Sequence, residues 1–202
     1  MFSRKGAFIM HLFLEGPVQT GKSTLIRECI QPYLHKAGGF SCQRLWREGI
    51  PCGYRITSPR ELQLDAPYSP ELSGIFLYHF GNESRKDPSV FETLGISMLE
   101  QTEGCSLILL DEIGGSELLI PSFRTRLYEI LAGPIPCIGV LKLADKAKFM
   151  GKTAGYPGTV VEFNEQLRKD LHEKFGASVL SYNPACRDAL KKEILQFTER
   201  IF

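Results

Sequence analysis

Gly16-Pro17-Val18-Gln19-Thr20-Gly21-Lys22-Ser23 follows a nearly unbroken apolar run, Met10 to Glu15, and precedes helically spaced Leu25, Ile26, Cys29 and Ile30. The octet satisfies G-x-x-x-x-G-K-[ST], and a strand before it with a helix after it is the context that the pattern requires. Gly16 and Gly21 let the backbone turn tightly, so that successive N–H groups and the helix N-terminus converge on a phosphate. Lys22 adds a mobile full charge. Ser23 offers a small hydroxyl to a magnesium ion, which keeps several waters and takes few protein oxygens. The stretch Gly16 to Thr24, with Pro17, Val18, Gln19 and Thr20 between the glycines, is therefore the candidate cradle for the phosphates of a nucleotide, a P-loop.

Leu107-Ile108-Leu109-Leu110-Asp111-Glu112 reads as the matching half. Four apolar residues bury a strand, and Asp111 is expected at its carboxyl end, where ligands bind in open α/β sheets. From there Asp111 can hold the magnesium and Glu112 can act as general base toward an attacking water. Alone, an apolar run followed by Asp-Glu is most often a strand entering an acidic turn; the P-loop upstream supplies the functional reading.

Outward from these motifs, strand and helix patterns alternate, which predicts a mostly parallel central sheet covered on both faces. Residues 39–57 suggest a β-hairpin after the first helix, turning at Glu48-Gly49-Ile50-Pro51. Prolines at 59, 67, 70 and 88 predict loops and short elements over 58–90. A helix is expected with Phe123, Leu127, Ile130 and Leu131 on one face, strands at Cys137–Leu141 and Thr159–Phe163, and a C-terminal helix striped by Leu190, Ile194, Phe197 and Ile201 within 184–202. Residues 1–9 read as an appended tail to one domain of 202 residues.

Twenty-four Lys plus Arg against 23 Asp plus Glu leave a net charge of +1, so no overall field draws the chain to nucleic acid, and a helicase or recombinase motor is disfavoured. Apolar runs are too short to span a bilayer, and no secretion signal is evident. The six cysteines form no Cys-x-x-Cys pair, and the four histidines show no metal-ligand spacing, so structural zinc and disulfides are not expected and the cytoplasm is.

With the P-loop, Gly39-Phe40, Gly53-Tyr54 and the block Asp111-Glu112-Ile113-Gly114-Gly115-Ser116-Glu117-Leu118 in view, the chain resembles the THEP-type nucleoside-triphosphatases over about residues 10–172. The resemblance implies a three-layer, RecA-like P-loop fold and slow hydrolysis of ATP, GTP and related triphosphates with little base selectivity. It also implies that the turn from Asp111 through Ile113 to Gly114 lines the nucleotide pocket. Three positions depart from the family pattern: Arg44-Leu45-Trp46 with Arg47 one step late, Ser116 for Met, and Leu167-Arg168 for Asn-Arg. Lys142, after the strand at Cys137–Leu141, is a candidate cation for the γ-phosphate, and Arg168 and Arg47 are further candidates; solvated surface or salt-bridge roles are the ordinary alternatives. Trp46 has stacking on a base and packing in the hairpin as its two readings.

The leading expectation is a magnesium-dependent NTPase, with a protein partner or a second copy able to supply an arginine in trans. A small-molecule or nucleotide kinase, in which residues 40–90 hold an acceptor, and a nucleotide-gated switch are the alternatives.

Overall fold

The computed structural model describes residues 10–61, 63–143 and 157–202; the tail expected over residues 1–9 lies outside them. In chain order it runs β1 (His11–Glu15), α1 (Lys22–Ile30), a 3-10 segment (Gln31–Lys36), β2 (Ala37–Arg47), β3 (Ile50–Thr57), β4 (Asp65–Pro67), β5 (Ile75–Phe80) and β6 (Glu83–Lys86). A π turn (Phe91–Gly95) leads into α2 (Ile96–Glu100), followed by β7 (Leu107–Ile113), α3 (Pro121–Ala132), β8 (Cys137–Leu141), α4 (Pro157–Glu173), β9 (Ala177–Ser181) and α5 (Arg187–Glu199).

The strands form one sheet in the order β6-β5-β3-β2-β7-β8-β1-β9, with β4 pairing beside β2. From β2 to β9 every pairing is parallel, whereas β3, β5 and β6 extend the sheet antiparallel. Side chains alternate across the parallel strands and so divide the core in two. Phe13, Ile108, Leu110, Cys137 and Leu141 pack with Phe123, Leu127, Leu167 and Leu171 of α3 and α4. Leu12, Leu14, Leu107, Leu109, Ile138 and Val140 pack on the other face with Leu25, Ile26, Ile194 and Phe197 of α1 and α5. This is the three-layer α/β arrangement that alternating patterns predict. The hairpin also forms where expected, its two turn residues Glu48 and Gly49 both at positive φ (54° and 74°), as a two-residue turn between twisted strands requires.

Two expectations are corrected. Thr159–Phe163 is not a strand but part of α4. Its two adjacent valines mimic a short buried strand, yet Val160, Asn164, Leu167 and Leu171 are all fully buried at helical spacing, and that longer period decides the element. The segment 58–90 is more ordered than its prolines suggest, since β4, β5 and β6 all lie in it. Those prolines sit outside β5 and β6, and Pro67 ends β4, so none interrupts a ladder from within.

Candidate functional site

β1 ends at Glu15, and the chain turns through Gly16 (φ 147°) and Gln19 (φ 59°) to Gly21 (φ 99°), which caps the N-terminus of α1. A Cβ on Gly16 would lie 2.6 Å from the Tyr182 carbonyl oxygen, so the loop sits against the segment after β9 in a way only glycine allows. Thr20 Oγ1 donates to the Pro17 carbonyl (2.8 Å) and tightens the arc. Lys22 folds its ammonium back onto the carbonyls of Gly16 (3.1 Å) and Pro17 (2.5 Å). Burial holds the Lys22 ammonium below its ordinary range, partly offset by Glu112 and Asp111. Among the described residues, the hydrogen bonds of the Lys22 ammonium go to these two carbonyls.

The second half is a β-bulge. Leu110 pairs with Gly139 and Ile113 with Leu141, so β7 spends one residue more than β8 over the same span, and the extra length is Asp111-Glu112. Glu112 has φ 65°, a left-handed conformation costing a non-glycine residue of order 1 kcal/mol. Gly139 makes the bulge possible, because a Cβ there would meet the Leu110 oxygen at 1.9 Å. The strand was expected to stop at Leu110; it continues to Ile113, and the two carboxylates emerge from within it.

Asp111 is 3% exposed and accepts two hydrogen bonds, from Ser23 Oγ to Oδ1 (2.8 Å) and from the Cys42 N–H to Oδ2 (3.1 Å). The serine of α1 and the aspartate of β7 are thus in contact across 88 residues of sequence. Burial and the charge of Glu112 raise the Asp111 carboxyl to about 6, against the pull of Ser23 and Cys42. A crowded, desolvated carboxylate beside a hydroxyl is a donor set that suits a hard divalent cation. Among the described residues no group of three or more His, Cys, Asp and Glu side chains is set to hold a metal, so a cation held by Ser23 and Asp111 would need further oxygens from a ligand or water.

Lys142, just past β8, donates to the Glu112 carbonyl and stands 3.6 Å from Glu117 Oε2. Burial lowers its pKa, but Glu117 and Glu112 outweigh that and hold the ammonium above its ordinary range, so Lys142 stays charged. Asn164 and Arg168 of α4 clasp the strand ends from behind. Asn164 Nδ2 donates to the carbonyls of Gly114 (2.7 Å) and Lys142 (3.2 Å). Arg168 bonds Asn164 Oδ1 (2.8 Å), the Lys142 carbonyl (2.5 Å) and the Glu15 carboxylate.

Val18 to Thr24, Glu112 and Lys142 open onto a pocket of about 310 Å3. Its far wall comes from Cys42 and Arg44 of β2, Tyr54 of β3, Leu64, Asp65, and Phe76 and Leu77 of β5. Other sequence candidates sit elsewhere. Gly16 and Pro17 act through their carbonyls, Ile113 is fully buried in the core, and Gly114 is held by Asn164. Arg168 lies inside α4 and reaches strand ends, not the pocket, in the salt-bridge role named as its alternative. Arg47 donates to the Tyr78 hydroxyl (2.6 Å) and lies over the Phe80 ring, outside the pocket lining. Trp46 donates from Nε1 to Asp65 (2.8 Å) and packs under Arg44, as its hairpin reading expects. The residues that sequence reasoning missed are Asn164 and Gly139, while the far wall falls within residues 40–90, the segment that the kinase alternative assigns to an acceptor; the Asn164–Arg168 spacing of four, an amide and a guanidinium on one helix face, was the available signal.

Among the described residues no helix is long and apolar enough to cross a membrane. A family model described as NTPase matches residues 11–195. The chain is 31% identical over 182 residues to nucleoside-triphosphatase THEP1 of Thermotoga maritima, covering 86% of this chain and 97% of that one, and 29% identical over 181 residues to THEP1 of Thermotoga sp. strain RQ2. Among solved structures it is similar to THEP1 from Aquifex aeolicus (TM-score 0.58, 22% identity, 95% of this chain and 100% of that one). It is equally similar to a human cancer-related nucleoside triphosphatase (TM-score 0.59, 21% identity, 94% and 97%). The fold is therefore that of P-loop NTPases, and the chain belongs to the NTPase family, among the relatives of the THEP1 nucleoside-triphosphatases.

Proposed function

We propose that this chain hydrolyses nucleoside triphosphates to diphosphate and inorganic phosphate in a magnesium-dependent reaction, slowly and with weak base preference, in the cytoplasm. The observation that carries the reading is the Ser23–Asp111 hydrogen bond, which ties the start of α1 to the β7 bulge and sets Glu112 and Lys142 on the same pocket as the P-loop.

The N–H groups from Val18 to Thr24 and the start of α1 bind the phosphate chain, and Lys22 exchanges its loop carbonyls for β and γ oxygens. Ser23 and Asp111 would hold a magnesium ion, which would supply charge neutralisation to the phosphates. Glu112 orients a water in line with the γ-phosphorus and takes its proton. Lys142, kept charged by Glu117, stabilises the charge that develops on the γ oxygens. Arg44 on the far wall is already paired with Asp65, so rapid turnover calls for an arginine from a partner or a second copy, an addition of ~10³ to 10⁵ in rate. Every named contact addresses phosphate, metal or water, which is why base preference is expected to be weak.

The test is phosphate release from ATP, GTP, CTP and UTP with and without magnesium, repeated on Glu112→Gln. The variant keeps nucleotide affinity, measured by calorimetry, and loses ~10² to 10⁴ in single-turnover rate, the range of a general base. Wild-type turnover in Glu112→Gln would reduce Glu112 to a structural bulge residue and remove the mechanism.

A further inference from the structure

The pocket extends past the point where hydrolysis needs room. The metal end of a triphosphate is fixed by Ser23 and Asp111, and Asp111 in turn accepts the backbone N–H of Cys42. β2 therefore abuts the γ-phosphate end of the site, not the nucleoside end. Two residues further along the same face of β2, Arg44 pairs directly with Tyr54 of β3, and Tyr54 with Leu77 of β5. Directly paired residues share a sheet face, so Arg44, Tyr54 and Leu77 form a row across three strands, and all three line the pocket with Phe76. A single attacking water gains nothing from such a wall. A planar apolar molecule does, because ring faces and a leucine side chain recognise it by area.

The row also carries a preorganised polar edge. Arg44 Nε donates to Asp65 Oδ1 (2.7 Å), its guanidinium lies over the Trp46 ring at 4.7 Å, and Trp46 Nε1 donates to the same carboxylate oxygen. Among the described residues nothing bonds the terminal nitrogens of Arg44 or Oδ2 of Asp65. Fixed donors beside a fixed acceptor match the edge of a heterocycle that has both.

We propose that this chamber is an acceptor site for a hydroxyl-bearing, planar heterocycle of up to nucleoside size, and that the enzyme transfers the γ-phosphoryl group to it. The inference rests on the nucleotide reading of the P-loop. The acceptor oxygen forms a bond to the γ-phosphorus while the bond to the β–γ bridging oxygen breaks; that electron pair leaves with the nucleoside diphosphate. The hydroxyl proton passes to the Glu112 carboxylate and then to solvent. The products are a phosphomonoester, a diphosphate and one proton, and no other reactant is needed.

The experiment incubates the full chain with magnesium and ATP in the presence of adenosine, guanosine, cytidine, uridine or thymidine at millimolar concentration, and reads inorganic phosphate and phosphomonoester separately by phosphorus NMR. At least one nucleoside is expected to yield phosphomonoester in step with ADP. Tyr54→Ser and Arg44→Gln are each expected to cut that transfer by about tenfold or more while hydrolysis without nucleoside stays within about twofold of wild type. Hydrolysis with no phosphomonoester from any of the five overturns the acceptor site and leaves the NTPase reading standing. Transfer unaffected by both substitutions also overturns it, as does a raised KM for ATP in Tyr54→Ser with nucleoside absent, which would assign the wall to the triphosphate's own base. A wild-type protein that neither hydrolyses nor transfers removes the nucleotide reading itself.

Discussion

Burial and the neighbouring Glu112 push the Asp111 carboxyl from its ordinary 3.8 up to about 6, against the hydrogen bonds from Ser23 and Cys42. A raised folded-state pKa means the native protein holds a proton that the unfolded chain has already lost. Stability therefore falls as pH rises from about 4 through about 6, and near neutrality the charged form costs roughly 3 kcal/mol. Asp111→Asn removes that cost while keeping one oxygen to accept from Ser23 or Cys42. In protein free of metal and nucleotide, the variant is expected to gain on wild type by up to roughly 3 kcal/mol between about pH 4 and pH 7 in denaturant unfolding. On the proposed reading, adding magnesium and nucleotide is expected to reverse the order, because the wild-type carboxylate would gain more binding free energy than the amide. A variant whose stability tracks wild type at every pH would show that Asp111 carries no such cost.

At the scale of elements, the site depends on three strand ends being held together by one helix. α4 presents Asn164 and Arg168 on one face, and between them they bond the Gly114 and Lys142 carbonyls and the Glu15 carboxylate, at the ends of β7, β8 and β1. Asn164 is fully buried, so its loss takes the side-chain donor from the Gly114 carbonyl at a cost of about 1–3 kcal/mol, while the Lys142 carbonyl keeps the bond from Arg168. Asn164→Ala is expected to lower kcat by about tenfold or more while nucleotide affinity changes little, since the P-loop amides are untouched and the Glu112 and Lys142 positions are not. Stopped-flow hydrolysis with parallel calorimetry separates the two. A rise in Kd with kcat unchanged would mean that the clasp serves binding, not the chemical step.

Across the whole molecule, one buried histidine links the sheet to its covering layer. His11 of β1 accepts the Cys137 N–H at Nδ1 (2.9 Å) and donates from Nε2 to the Leu131 carbonyl at the end of α3 (3.0 Å), which requires the neutral Nε2–H form. Burial lowers its pKa from 6.5 to about 4, the Leu131 bond opposing. The folded-state pKa is depressed, so the stability tied to neutral His11 is full above 6.5 and is lost as pH falls toward 4. Wild type is expected to lose about 2 kcal/mol more than His11→Asn between about pH 7 and pH 5 in denaturant melts, the asparagine oxygen standing in for Nδ1 without titrating. Equal losses in the two proteins would place the acid sensitivity elsewhere.

By itself the sequence determined the glycine-bounded loop between strand and helix, the Asp-Glu pair and the alternation that makes a parallel sheet, because each is written in local spacing: Gly16, Gly21 and Lys22 lie within one loop, and Leu107 to Leu110 within one strand. It also marked Lys142, whose place after a buried strand is a matter of neighbouring residues. Tertiary structure alone decided what meets across long separations. The bulge at Asp111-Glu112 needs Gly139 opposite it, the chamber needs β2, β3 and β5 side by side, and the clasp needs α4 packed beneath three strand ends. Thr159–Phe163 shows the same limit from the other side, for five residues contain two adjacent valines but less than two helical turns, and the helix is evident only over the longer span on which Val160, Asn164, Leu167 and Leu171 are all buried. Hydrogen-bond partners and packing surfaces are set by the path of the chain in space, and local periodicity carries no record of that path.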